Sequence, residues 1–446
     1  MSPFLAAQHR PARASILHLC YLGIGEPLVQ TQVVPYLAGL AAAGYQIVLL
    51  TFEPTALSRR ERLRHQWMLR ARDIEWHSLR YHKRPALPAT LFDVSAGILY
   101  GAYLVLTRHI DVVHARGHVP AAMAVVLKHL LGARMVFDVR GLMADEYVDA
   151  GLWRKHGPLF SLVKRFEDVF LANADAAVVL TRRVERWWSD SGRFPARLPV
   201  EVIPCCVDLG RFDVDPPRRD VLRRGLALDG RPVMVYAGKV GGWYMLREMI
   251  DFFQVAKAHF PDLCFVLLTQ SDPARAEEAF ASKRVGREAY RCLTVLPSDL
   301  PAYLSLADFA ISFRAPRFSQ IAASPTKMAE YLAAGLPIVY NAGIGDLDEL
   351  EADQVGACVR AFTLSDYGRA VGQLRVLLAE RAATGARCRA VAREHFSLAA
   401  VGIAGYLRLY AALADLSARG VPGGRVHSRV RVPSPSNEET GSPRVL

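Results

Sequence analysis

Apolar and polar positions along the chain follow two alternating rhythms. Short runs rich in β-branched residues recur at 15–20 (SILHLC), 45–52 (YQIVLLTF), 111–115 (DVVHA), 133–138 (ARMVFD), 175–180 (DAAVVL) and 200–204 (VEVIP). Each reads as a strand. The intervening stretches are longer and carry apolar residues at helical spacing; 27–44 is one, with Gly44 as its stop signal. Strand, helix and strand at this spacing predict a parallel sheet with helices on both faces.

The pattern then restarts. Runs at 232–238, 263–269, 292–296, 308–313, 336–340 and 356–360 predict a second parallel sheet, and a polar, proline-bearing stretch at 207–220 separates the two sets. The expected fold class is therefore α/β, two doubly wound parallel-sheet domains facing a cleft. The expected boundaries are 1–206, 207–395, a helical segment 396–418 crossing back to the first domain, and a tail 419–446 rich in Pro, Gly, Ser and Arg that reads as disordered. The apolar stretch 85–106 contains Asp93 and two prolines, so it reads as a largely buried helix rather than a membrane span.

A length of 446 residues suits two domains of roughly 200 each, and 52% hydrophobic with 22% charged residues suits soluble cores. The formal net charge of +12 and pI near 9.5 call for an anionic partner. No nucleic-acid-binding module is recognisable. Seven cysteines without a C-x-x-C pair read as reduced thiols, and the opening residues lack the apolar core of a secretory signal, so a cytoplasmic location is expected. Two Asp-x-Asp strings, at 213–215 and 346–348, occur in contexts that favour no metal.

Parallel sheets bind ligands at the carboxyl ends of their strands, so candidate residues are those just after strands. Gly23 and Gly25 follow the first and permit a tight turn with close backbone approach. His118 lies in the loop beyond the third, placed to hydrogen-bond a sugar or alcohol. Arg140 follows the fourth within a charged segment that also holds Asp138, Asp145 and Glu146. Lys239 follows the first strand of the second domain, in a glycine loop suited to phosphate. In ASPTKMAEYLAAGLPIVY (323–340), Ser324 is placed to cap a helix that starts at Pro325 and stops at Gly335. Lys327 and Glu330 then share a face of it, where an ammonium and free N–H groups meet phosphate and a carboxylate one turn deeper accepts two ribose hydroxyls. A plain surface ion pair has the same spacing. The segment 151–170 interleaves Trp153, Phe160 and Phe166 with Arg154, Lys155, Lys164 and Arg165; it reads either as an ordinary packed helix or as a contact to an anionic membrane surface.

Taken together, GIGEP, DVVHARGH, VIPCCVDLGRF, YAGK and PTKMAEYLAAGLPIV resemble the motifs of GT-B glycosyltransferases of retaining family 4, over the chain up to about residue 415. The resemblance implies two Rossmann-like domains and transfer of a sugar, with retention and without a metal, from a nucleotide-diphosphate sugar to a saccharide or lipid-linked acceptor. It implies no cofactor, the nucleotide sugar being a co-substrate. It gives catalytic roles to His118, Lys239 and Lys327, and substrate-binding roles to Gly23, Gly25, Arg140, Ser324, Thr326 and Glu330. Glu330 matches the second Glu of the family's E-x7-E motif, whereas the first falls on Ala322 and the second basic residue of an R-x4-K pair falls on Tyr244. An epimerase of the same fold and an inert nucleotide-binding partner subunit are the rival readings. A lipid-linked acceptor would place the protein peripherally on the inner membrane face.

Overall fold

The computed structural model describes residues 14–214, 216–270 and 273–418; the tail expected at 419–446 lies outside them. The first domain contains β1 (Ser15–Cys20), β2 (Gln46–Glu53), β3 (Ile74–Arg80), β4 (Val112–Arg116), β5 (Arg134–Asp138), β6 (Ala176–Val179) and β7 (Val200–Val202). They form one parallel sheet in the order β3-β2-β1-β4-β5-β6-β7. The second domain contains β8 (Val233–Ala237), β9 (Cys264–Leu268), β10 (Tyr290–Leu293), β11 (Phe309–Ser312), β12 (Ile338–Asn341) and β13 (Gly356–Val359), parallel in the order β10-β9-β8-β11-β12-β13. The central strands β1, β4, β8 and β9 are buried along their whole length; β8 and β9 are unbroken apolar runs, whereas β1 and β4 also bury Ser15, His18, His114 and Arg116.

Three elements depart from expectation. Strand β3 was not legible, because IEWHSLR mixes Ile74 and Trp76 with Glu75, His77 and Ser78 at a sheet edge. Strand β10 begins at Tyr290, ahead of the expected 292–296. The stretch 85–106 is indeed helical, Ala86–Arg108, but it is not largely buried: only a third of its apolar window is covered. Gly97 and Gly101 bring it against the helix His118–Leu131, where added Cβ atoms would meet Met123 Sδ at 2.6 Å and Leu127 Cδ1 at 2.9 Å. The opposite side faces solvent.

The chain passes between the domains twice. Val207 pairs with Ser397 as a parallel bridge: its N–H donates to Phe396 O at 2.8 Å, and its carbonyl accepts from Leu398 N at 2.9 Å. The helix Ala404–Ala418 then buries Tyr406, Leu409, Tyr410 and Leu413 in the core of the first domain. The segments following the strands meet across the domains. Thr181 Oγ1 donates to Ile321 O at 2.7 Å, and Ser319 N donates to Asp149 Oδ2 at 2.8 Å.

Candidate active site

Strand β8 is followed by Gly238, whose φ of +146° suits glycine, and whose missing side chain matters more. A Cβ there would collide with the Lys327 ammonium. The helix Thr326–Ala333 therefore lays Lys327 directly against the β8 loop. Lys327 is buried; its Nζ donates to Tyr236 Oη at 3.0 Å and lies 4.2 and 3.5 Å from the ring centroids of Tyr236 and Tyr244. Burial, reinforced by Arg314 and opposed by Glu330, pushes its pKa well below the ordinary lysine value. Arg314 stands on Tyr244 as well, with its guanidinium 5.1 Å from the ring centroid and Nη1 3.3 Å from the hydroxyl. Two cations thus share one aromatic ring, and among the described residues neither forms an ion pair with a carboxylate.

Glu330 sits one turn deeper in the same helix. Its carboxylate accepts no hydrogen bond from any described residue, and burial pushes it up to about 7 against the opposing charges of Lys327 and Arg211. It is not the partner of a surface ion pair with Lys327. Lys239 is exposed at the mouth of the loop, its side chain without an ion-pair partner among the described residues. Gly335, φ +74°, stops the helix as anticipated, with Leu336 N donating to Tyr331 O at 2.9 Å.

Other expectations are corrected. Ser324 does not cap this helix: Pro325 is the N-cap, Thr326 opens the first turn, and the Ser324 hydroxyl instead accepts from Cys205 N at 3.0 Å at the domain junction. The missing side chain of Gly23 makes room for protein, since a Cβ would lie 2.8 Å from Glu53 Oε2. The Glu53 carboxylate accepts from Ile24 N at 3.0 Å and Thr51 Oγ1 at 2.6 Å, pinning the glycine loop. Gly25, by contrast, is exposed with open space at its Cα.

Arg140 is committed to Asp138, Nη1 to Oδ1 at 3.1 Å. Fully buried Asp138 also receives Arg116 at 3.3 Å and Tyr406 Oη at 3.2 Å, with His114 Nε2 at 3.5 Å. Burial works to raise this carboxyl, but Arg140, His114 and Arg116 hold it well below the usual carboxylate range. Arg140 therefore belongs to a charge cluster beneath the loop. His118 is the first residue of its helix rather than a loop residue, and it is buried with Nε2 3.1 Å from Glu167 Oε1. Glu167 is held at about 2, burial being outweighed by His118, Lys164 and Arg193. One face of the imidazole is thus fixed.

Sequence reasoning passed over Arg314, which lies two residues beyond β11 and so carried a positional signal, and it named Glu146 in the charged segment around Arg140 without making it a candidate. Burial raises the Glu146 carboxyl; His118 from its own domain and Arg314 from the other oppose the rise. It too has no hydrogen-bond partner among the described residues. Position 322, where the resemblance expects a Glu, is a buried Ala in the apolar cluster that contains Val184 and Trp188. In the second Asp-x-Asp string, Asp346 accepts the backbone N–H of Arg182 at 2.7 Å and of Arg183 at 3.1 Å, capping the helix Arg182–Asp190 from the opposite domain. Asp348 pairs with Arg183 at 3.2 Å.

Residues 29–211 match the sequence profile of Glycosyltransferase Family 4. No curated protein matches the chain by sequence. Solved structures with the same architecture include a glycosyltransferase from Rickettsia africae, TM-score 0.68 at 12% identity over 90% of this chain and 98% of that one. Sucrose-phosphate synthase from Thermosynechococcus elongatus aligns at 0.66 and 16% over 90% and 100%. Anabaena HepE in complex with UDP and glucose aligns at 0.65 and 13% over 89% and 99%. The chain has the GT-B fold.

Proposed function

We propose that the protein is a retaining, metal-independent glycosyltransferase, moving a sugar from a nucleoside-diphosphate sugar to a hydroxyl of a saccharide or lipid-linked acceptor. The observation that carries this reading is the uncompensated pair on one helix, buried Lys327 and unpartnered Glu330, beside Arg314 and Lys239. A diphosphate placed against Lys327, Lys239 and Arg314 supplies the anion these cations lack. Glu330 is then one turn away to accept ribose hydroxyls. The family profile over the first domain supports glycosyl transfer, and the UDP and glucose held by HepE, on the same fold, support a nucleotide-sugar donor.

Negative charge grows on the leaving diphosphate as the glycosidic bond breaks. Fixed cations in a water-poor site stabilise that charge without needing to reorganise. On the acceptor side, open space at Gly25 and the oriented His118 give a hydroxyl room and a hydrogen-bond partner. Glu146 offers a free carboxylate between His118 and Arg314, where position 322 offers none. Closure of the two domains over the cleft limits hydrolysis of the donor.

The test is thermal stabilisation by UDP, GDP, CDP, ADP and NAD, on the wild type and on Glu330→Ala. Selective stabilisation by one nucleoside diphosphate, lost in the variant, is the expected outcome. Release of that diphosphate from the matching nucleotide sugar, with a new glycoside formed, establishes transfer. Stabilisation by none of them defeats the reading.

A further inference from the structure

The outer face of the helix Ala86–Arg108 carries Leu87, Leu91, Phe92, Leu99, Tyr103 and Leu106, between 50% and 74% exposed, along one arc. Leu130, near the end of the adjoining helix, is exposed as well. So much contiguous apolar surface on a soluble chain marks a contact with something else. We infer that this face docks on an anionic lipid surface, with the helix lying in the plane of the interface.

The charge pattern selects this occupant. Arg80, Lys83 and Arg84 are exposed just before the helix, and neither Lys83 nor Arg84 pairs with a carboxylate among the described residues. The only acidic residue of the helix, Asp93, points inward, accepting from Tyr21 Oη at 2.6 Å and His82 N at 2.9 Å. The apolar stripe therefore meets lipid with cations at one end and no exposed carboxylate along its length, in a chain of net charge +12.

Length and hydropathy alone would also let Leu87–Arg108 cross a bilayer. The packing selects the in-plane arrangement. Crossing would tear Gly97 and Gly101 from Met123 and Leu127, and would carry Asp93 into hydrocarbon without Tyr21 and His82. The sequence had pointed to 151–170 instead. That segment also exposes Leu152, Leu159, Leu162 and Phe166, but Phe160 is buried, and Lys164 pairs with Asp145 at 2.7 Å and Glu167 at 3.0 Å. The exposed Asp168 sets a carboxylate among its exposed apolar residues, which the Ala86–Arg108 stripe does not have.

The docking inference stands without the transfer reading. On that reading it gains a consequence: Tyr21, bonded to Asp93, leads into the Gly23–Gly25 loop, so docking brings the acceptor side of the cleft to the lipid.

The experiment is sedimentation of the full chain with vesicles of phosphatidylcholine alone, or of phosphatidylcholine with one-third phosphatidylglycerol. Salt-sensitive binding to the second only is expected. The Leu91→Glu/Leu99→Glu variant, altered only at exposed sites, should bind at least about tenfold more weakly, as should Lys83→Glu/Arg84→Glu, both with unchanged melting temperature. No binding by the wild type, or undiminished binding by both variants, overturns the inference. So does a lipid-free dimer that Leu91→Glu/Leu99→Glu converts to monomer, because the occupant would then be a second copy.

Discussion

Replacing Glu330 by Gln keeps the shape of the side chain and removes its titration. In the wild type the carboxyl rises from an ordinary 4.5 to about 7 on folding, chiefly through burial. The folded state thus binds this proton more tightly than the unfolded state does. Below about pH 4.5 the group is neutral in both states and costs nothing; as pH rises through about 7, stability is lost and stays lost. At full strength a move of that size is worth about 3 kcal/mol, and about 1–2 kcal/mol is expected because water reaches part of the side chain. Urea unfolding of both proteins at about pH 4 and about pH 8, on either side of the two pKa values, reads the effect directly. Glu330→Gln should match the wild type closely at the lower pH and exceed it by that amount at the higher. An equal difference at both values, or a wild type that gains on the variant as pH rises, would refute the argument that Glu330 is held desolvated and unpartnered.

Lys327→Met replaces the buried ammonium with an apolar chain of similar length. Because burial depresses this pKa, charging Lys327 costs stability at all pH values below its ordinary one. Near neutrality the ligand-free variant should therefore be more stable, by about 1–3 kcal/mol in denaturant, while losing stabilisation by nucleoside diphosphate. Asp346→Ala removes the cross-domain cap of Arg182–Asp190. It should lower stability by about 0.5–2 kcal/mol, and small-angle scattering should show the two domains further apart.

Both sheets were legible because their central strands are apolar runs that only a doubly covered sheet can bury. The edges were less so: β3 alternates and carries charge, and its place beside β2 depends on tertiary contacts. Within the site, Lys327 and Glu330 could be read from spacing on one helix, since both belong to the same local element. The surroundings of Arg140 and Gly23 could not be read from sequence, for a common reason. What each does depends on a carboxylate elsewhere in the fold: Asp138 occupies the arginine, and Glu53 fills the space beside the glycine. Arg314 was overlooked because its meeting with Lys327 across Tyr244 exists only once β8, β11 and the Thr326–Ala333 helix have assembled. Helix Ala86–Arg108 was taken as buried because composition reports how apolar a segment is, not which way it faces.

The bridge between Val207 and Ser397 makes the two passages between the domains a single hydrogen-bonded ribbon. Two independent tethers would let one domain swing in any direction. A ribbon bends readily across its flat face and resists shear within its plane, so it acts as a hinge with a preferred axis. Opening for product release and closing over the next donor would then retrace one arc, returning Lys327 and His118 to the same relative placement each time.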